Sequence, residues 1–315
     1  MGQRGRSRGT ERDEGGSSKH IGVWIVTVAL LAVLGTGGYF VYRTITNKLQ
    51  SEQCVATGAD GSQVTIVNDR MANAATIAAV ARAKNLPEQA TIVALATAQQ
   101  ESKIRNLDYG DRDSIGLFQQ RPSVKEWGTA TQIADPVFAS GSFFHALLNV
   151  PNWQGLDVGK AAQKVQRSAD SSGESYAQWE GMATVLATTL DGKSGTQLEC
   201  RYDDPKLSAE AAGANGLTPR AEAVGAALVK QFSANGVATA PQYSHTPDGL
   251  TLRITAGKGT TDPRVLAVWA VASAKNLNVD KVAYADQVWT RSSGKWKTSS
   301  SPTSGTVDVT VVKGG

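Results

Sequence analysis

A chain of 315 residues, 41% hydrophobic and 19% charged, is long enough for two modest domains and apolar enough to bury a core. Its formal charge of +4 is mild, and no basic run interleaves with aromatics outside the N-terminal tail, so nucleic acid is not an expected partner. The three histidines, His20, His145 and His245, are scattered, and only two cysteines accompany them; this makes no metal-ligand pattern, and nothing suggests a cofactor.

Residues 1–20 carry Arg4, Arg6, Arg8, Arg12 and Lys19 among glycine and serine, which predicts a disordered cytoplasmic tail. Segment 21–42, IGVWIVTVALLAVLGTGGYFVY, holds no charge. As a helix it would span about 33 Å, against a hydrocarbon core of ~30 Å. Trp24, Tyr39 and Tyr42 lie towards its ends, where aromatic rings favour the interface. A cleaved signal peptide would end in a small-x-small site, whereas Tyr39–Tyr42 prolongs the apolar run. The expectation is a single uncleaved transmembrane helix at 21–42 in the cell membrane. Positive charge is denser before it than after, which puts the N-terminus in the cytoplasm and the bulk of the chain outside the cell. Residues 43–53 read as a linker.

Cys54 and Cys200 both follow that segment, in what would be an oxidising compartment, so a disulfide between them is expected. Closing a loop of about 150 residues contributes about 5 kcal/mol on the loop-entropy model. The pair also brackets a first domain, 54–200. There, a short strand at Gln63–Val67 precedes a helix capped by Asn68 or Asp69 and reaching Lys84. Pro87 opens the next helix, rich in Ala90, Ala94 and Ala98, which carries Glu101 in its last turn. The negative end of the helix dipole, with burial against alanines, disfavours a charged carboxylate there. Both effects favour the protonated form that a general acid must hold.

After Glu101 and Ser102 comes a polar loop, YGDRDSIGLFQQRP from Tyr109 to Pro122. Gly116 allows close backbone approach, Leu117 and Phe118 are apolar plugs, and Gln119 offers an amide suited to a sugar hydroxyl or acetamido group. Gln120 follows it, and Trp127, between the loop and Gly128, is a candidate for stacking on a sugar face.

The Glu-Ser pair followed by Gly-Leu-Phe-Gln at this spacing resembles the lysozyme-like superfamily, in particular goose-type lysozymes and soluble lytic transglycosylases. Its nearest likeness is to the membrane-anchored members found in actinobacteria. The resemblance is closest over about 25 residues, so what it implies for function rests on that stretch. It implies a lysozyme-like fold for 54–200, Glu101 as catalytic acid, and a groove lined by Ser102 and the Gly116–Gln120 segment. Asp111 matches an acid that goose-type enzymes keep in this loop, with Asp113 as its understudy. Two features depart from the pattern. Arg121 stands where goose-type enzymes carry an acid after the motif's glutamine, and no Ala-Tyr-Asn motif is visible. Tyr176 is the nearest candidate for that motif's hydroxyl. With one carboxylate clearly matched, transglycosylation, which needs only one, is favoured over two-carboxylate hydrolysis. The implied function is cleavage of the MurNAc–GlcNAc bond of peptidoglycan glycan strands. A catalytically silent, wall-binding scaffold in a cell-envelope, secretion or conjugation assembly is the alternative.

Further helices are expected from Asp135-Pro136 to Val150, from Val158 to Arg167 and from Ser175 to Leu190. Residues 201–217 read as a linker. The remainder, 218–315, is expected to place helices from Thr218-Pro219 and Asp262-Pro263 on strands at 250–256, 282–291 and 306–312, with a return strand from Trp296. The fold class is thus α+β: a transmembrane helix, a mainly helical domain, and a small α+β domain with a mostly antiparallel sheet. This last domain carries no catalytic constellation, and a cell-wall or envelope-protein partner is its expected role.

Overall fold

Cys54 and Cys200 face each other across neighbouring strands. In the computed structural model, which describes residues 52–315 apart from 169, 196, 234–240, 257–261 and 302, β1 (Gln53–Thr57) is the centre of a three-stranded antiparallel sheet. It pairs with β2 (Gln63–Val67) on one side and β3 (Gln197–Arg201) on the other, in a register that sets Cys54 opposite Cys200. The disulfide joins them across a sequence separation of 146. Of these strands only β2 was expected. The others are short, and β3 finds its partner only after the whole helical segment has returned.

Between β2 and β3 run α1 (Asn68–Ala83), α2 (Glu88–Ser102), α3 (Ala130–Ile133), α4 (Pro136–Leu148), α5 (Val158–Gln166), α6 (Glu174–Ala177) and α7 (Glu180–Leu190). Helix α2 is the hub, packed against α1, α4, α5, α6 and α7. Ala90, Ala94, Ala96 and Ala98 are fully buried on it, and such small side chains let several helices approach one axis closely. Asp135 caps α4 by accepting the Val137 N–H at 3.0 Å, with Pro136 in the first turn. Pro87 lies just outside α2 in extended conformation, one position ahead of its expected place. The single helix expected over Ser175–Leu190 is instead two, α6 and α7. Two long-range hydrogen bonds hold the break: Tyr176 and Trp179 both reach back to the end of α2.

The C-terminal half contributes α8 (Pro219–Phe232), α9 (Pro263–Ala272) and six strands: β4 (Gln242–His245), β5 (Thr251–Thr255), β6 (Val279–Tyr284), β7 (Gln287–Thr290), β8 (Trp296–Thr298) and β9 (Thr306–Val311). They form one antiparallel sheet in the order β4-β5-β9-β6-β7-β8. Thr218 and Asp262 cap the two helices, as their Thr-Pro and Asp-Pro sequences lead one to expect. The long strand expected over 282–291 is a hairpin. Tyr284 opposes Gln287, and Ala285 turns the chain at φ +49°, without the glycine or asparagine that usually marks such a turn.

The two halves are bolted together, and residues 52–315 form one compact unit. Helix α9 packs against α1 as well as against the large sheet. The Tyr202 hydroxyl donates to the Val271 carbonyl at 2.7 Å, and the Trp289 indole donates to the Cys200 carbonyl at 3.2 Å. Buried Arg291 donates to the carbonyls of Asp203 and Ala274. Segment 202–217 has no helix or strand, yet Arg220 fastens it through the Ser208 carbonyl at 2.6 Å and an ion pair with Glu210.

One expectation is corrected. Among the described residues no helix is long and apolar enough to cross a membrane. The expected span at 21–42 lies outside the described residues, and the described structure does not support the expected single-pass membrane architecture or the location outside the cell inferred from it.

Candidate active site

Helix α2 ends abruptly, and the way it ends presents Glu101. Lys103 and Ile104 both adopt left-handed backbone, at φ +58° and +59°. The Lys103 N–H bonds back to the Gln99 carbonyl at 3.1 Å, an αL cap, and the Ile104 N–H reaches further back to the Ala98 carbonyl at 2.9 Å. For a β-branched residue this conformation is strained, costing about 1–3 kcal/mol. The fully buried Ile104 side chain and the Asn73 amide, which donates to the Ile104 carbonyl at 2.9 Å, hold it in place.

Ser102 then ties this helix end to the Gly-Leu-Phe-Gln segment. It is buried, and its hydroxyl donates to the Leu117 carbonyl at 2.7 Å while also lying 3.1 Å from the Ala98 carbonyl. Ser102 is therefore a strut between the two motifs rather than part of a groove surface. Gly116 takes φ +81° and lies close to Ile133, where an added Cβ would meet the Ile133 carbonyl at 3.0 Å. Leu117 and Phe118 are fully buried, and Phe118 stacks on Phe143 with ring centroids 4.4 Å apart. They are core, not groove lining. The Phe118 carbonyl accepts from the Gln166 side chain at 2.8 Å, which locks the motif to the end of α5.

Over this floor lies a cleft of about 450 Å³, bounded by Glu101, Asp111, Gln119, Gln120, Trp127 and Gln166 among others. Glu101 is partly buried at its edge. The Tyr176 hydroxyl donates to Glu101 Oε1 at 2.7 Å. Burial pushes the Tyr176 phenol well above its ordinary value, outweighing a hydrogen bond with Ser168, and the Glu101 charge adds to the shift. The phenol thus stays neutral and remains a donor. Its position is set by Asp170, which accepts hydrogen bonds from the Ser172, Gly173 and Ser175 N–H groups at 3.0, 3.2 and 3.0 Å. Beside it, the Trp179 indole donates to Gln100 Oε1 at 2.8 Å, and Lys103 Nζ sits 4.9 Å from the ring centroid.

The other acids are placed differently. The Asp113 carboxylate accepts from Arg121 Nε at 2.8 Å and from the Ser123 N–H at 2.8 Å, and these bonds hold it well below the usual carboxylate range. Arg121, at the position where an acid was sought, is the clamp of this pair. Asp111 borders the cleft, but its side chain is 93% exposed, with Arg112 4.0 Å away. Glu126 also borders the cleft and is paired with Arg167 at 3.0 Å. Among the described residues no lysine or arginine pairs with Glu101.

The amides and the aromatic ring complete the lining. Gln119 spends its side-chain N–H groups on the carbonyls of Tyr109 at 3.2 Å and Gly116 at 3.3 Å, so it braces the loop. Gln120 donates to the Ala139 carbonyl at 3.3 Å, while its buried Oε1 has no hydrogen-bond partner. Trp127 is only 8% exposed and walls both this cleft and a neighbouring cavity of about 330 Å³. Residues that sequence reasoning overlooked are Gln166, Arg167, Glu126 and Asp170. Only Asp170 left a local trace, an acid followed by Ser-Ser-Gly in a turn-forming order.

Among the described residues no group of three or more histidine, cysteine, aspartate and glutamate side chains is arranged to hold a metal ion. No protein-family model matches the sequence, and no curated protein matches it.

Proposed function

We propose that the cleft cleaves glycan strands in the manner of the lysozyme-like superfamily, with peptidoglycan as substrate and Glu101 as both general acid and general base. The observation that supports this reading most is the hydrogen bond from Tyr176 to Glu101 at the edge of an open polar cleft. With Oε1 occupied by the phenol, Oε2 is left to carry the transferable proton. Asp113 is committed to Arg121, Glu126 to Arg167, and Asp111 is almost fully exposed to solvent, which leaves Glu101 as the acid best placed for proton transfer.

One well-placed carboxyl group suits lytic transglycosylation. Glu101 gives its proton to the glycosidic oxygen as the C1–O bond breaks and an oxocarbenium-like centre develops. The 6-hydroxyl of the same sugar bonds to C1 and returns its proton to Glu101, so the product is an anhydro sugar and no water is consumed. Hydrolysis would replace that hydroxyl with water and leave a reducing end.

The test is to incubate the full chain with purified peptidoglycan and follow soluble muropeptides. Release that stops in Glu101→Gln supports the reading. Binding to the polymer without release, in the unaltered protein, rejects it in favour of a wall-gripping scaffold.

A further inference from the structure

A second cavity, remote in sequence from Glu101, opens beside the β6–β7–β8 side of the large sheet. Val282, Trp289 and Trp296 are cross-strand neighbours on β6, β7 and β8 and so share one face of the sheet. Tyr284 lies two residues beyond Val282 on the same face. Under α9 this face is ordinary core: Val282 and Trp289 are fully buried. Tyr284, next to the β6–β7 turn, and Trp296, on the edge strand β8, are only partly buried, and they border a cavity of about 520 Å³. Gln197 and Leu198 from β3 close its other side.

The cavity is open to solvent on one side, so a small ligand can enter it without rearrangement of the layers that line it. Its chemistry is mixed rather than greasy. Arg264 and Asp286 bring one charge of each sign, Gln197 and Gln287 bring amides, and Tyr284 brings a hydroxyl that donates to no described group. The Trp296 ring cannot tumble, since its indole donates to the Leu198 carbonyl at 3.0 Å. Burial pushes the Tyr284 phenol up, so it stays neutral.

We propose that this cavity is a saccharide-binding site that holds one or two sugar rings of a glycan strand, separate from the Glu101 cleft. A tryptophan held in place beside a tyrosine suits the apolar faces of pyranose rings, and amides with one charge of each sign suit uncharged hydroxyl and acetamido groups. The volume excludes a folded partner and admits a mono- or disaccharide. The choice of sugar as probe rests on the glycan reading of the Glu101 cleft, but the site itself is built from other residues.

The experiment uses the full chain carrying Glu101→Gln, titrated with soluble oligomers of N-acetylglucosamine, and reads the tryptophan indole N–H signals by NMR. The Trp296 signal is assigned by its loss in Trp296→Phe. The site predicts a saturable shift of that signal and at least about tenfold weaker binding in Trp296→Ala, the scale of one lost aromatic anchor. Tyr284→Phe, which keeps the packing and removes only the hydroxyl, weakens the same titration several-fold. An unmoved Trp296 signal overturns the inference, as does unchanged affinity in Tyr284→Phe and Trp296→Ala. A shift produced by peptidoglycan stem peptide but not by sugar overturns it too. Turnover by the protein with Glu101 intact is scored separately, so failure of the cavity and failure of the cleft are told apart.

Discussion

The hydroxyl of Tyr176 lies 2.7 Å from Oε1 of Glu101, although 75 residues separate them in the chain. Glu101 lies in the last turn of α2 and Tyr176 in the single turn of α6. If the phenol orients the acid, Tyr176→Phe lowers kcat by about 10-fold to 10²-fold and leaves KM nearly unchanged. Steady-state release of muropeptides measures it, and an unaltered kcat would mean that the hydrogen bond is only structural.

Ser102 reads as a strut. Its hydroxyl satisfies the Leu117 carbonyl in a buried setting, so Ser102→Ala leaves that acceptor unpaired and costs about 1–3 kcal/mol. Denaturant unfolding monitors the loss. Because the strut joins the two motifs, activity should fall more than stability alone explains, measured well below the unfolding midpoint.

Acid should loosen the loop around the cleft. Asp113 is held below the ordinary carboxylate range by Arg121 and Ser123, and Asp170 by Ser172 and Ser175. A carboxyl group whose folded value is depressed binds fewer protons folded than unfolded. Its stabilising effect is therefore full above its unfolded value of about 4 and is lost as pH falls through the folded value. Melting temperature should hold between neutrality and pH 5 and decline below about pH 4. Asp113→Asn and Asp170→Asn should each be less stable at neutrality and show a shallower acid decline than the parent.

The disulfide should matter more than its small sheet suggests. Cys54–Cys200 closes the whole helical segment, and replacing both cysteines with alanine is expected to cost about 2–5 kcal/mol. A drop in melting temperature in that variant, matched by reduction of the unaltered protein, checks it.

Much of this was legible in local sequence. Asp135-Pro136, Thr218-Pro219 and Asp262-Pro263 marked helix starts because a capping side chain and a proline act within one turn. The Cys54–Cys200 pairing followed from there being only two cysteines. What could not be read depends on partners brought in from afar. β1 and β3 are five residues each and gain their identity only from pairing with one another. The Ala285 turn uses a residue that rarely adopts positive φ, so the 282–291 stretch looked continuous. The family resemblance implies groove lining for Leu117 and Phe118, whereas both are fully buried and act as the plugs that their apolar side chains suggest. Arg121 looked like a missing acid and is instead what occupies Asp113.

The most direct measurement compares the full chain with Glu101→Gln and Asp111→Asn on the same purified peptidoglycan, with products weighed by mass spectrometry. A single-acid mechanism predicts anhydro muropeptides, lighter by one water than hydrolysis products. Their release should fall by at least about 10³-fold in Glu101→Gln and change by less than about threefold in Asp111→Asn. Equal loss in both variants with reducing-end products would contradict the single-acid mechanism, and undiminished release in Glu101→Gln would contradict the assignment of the acid itself.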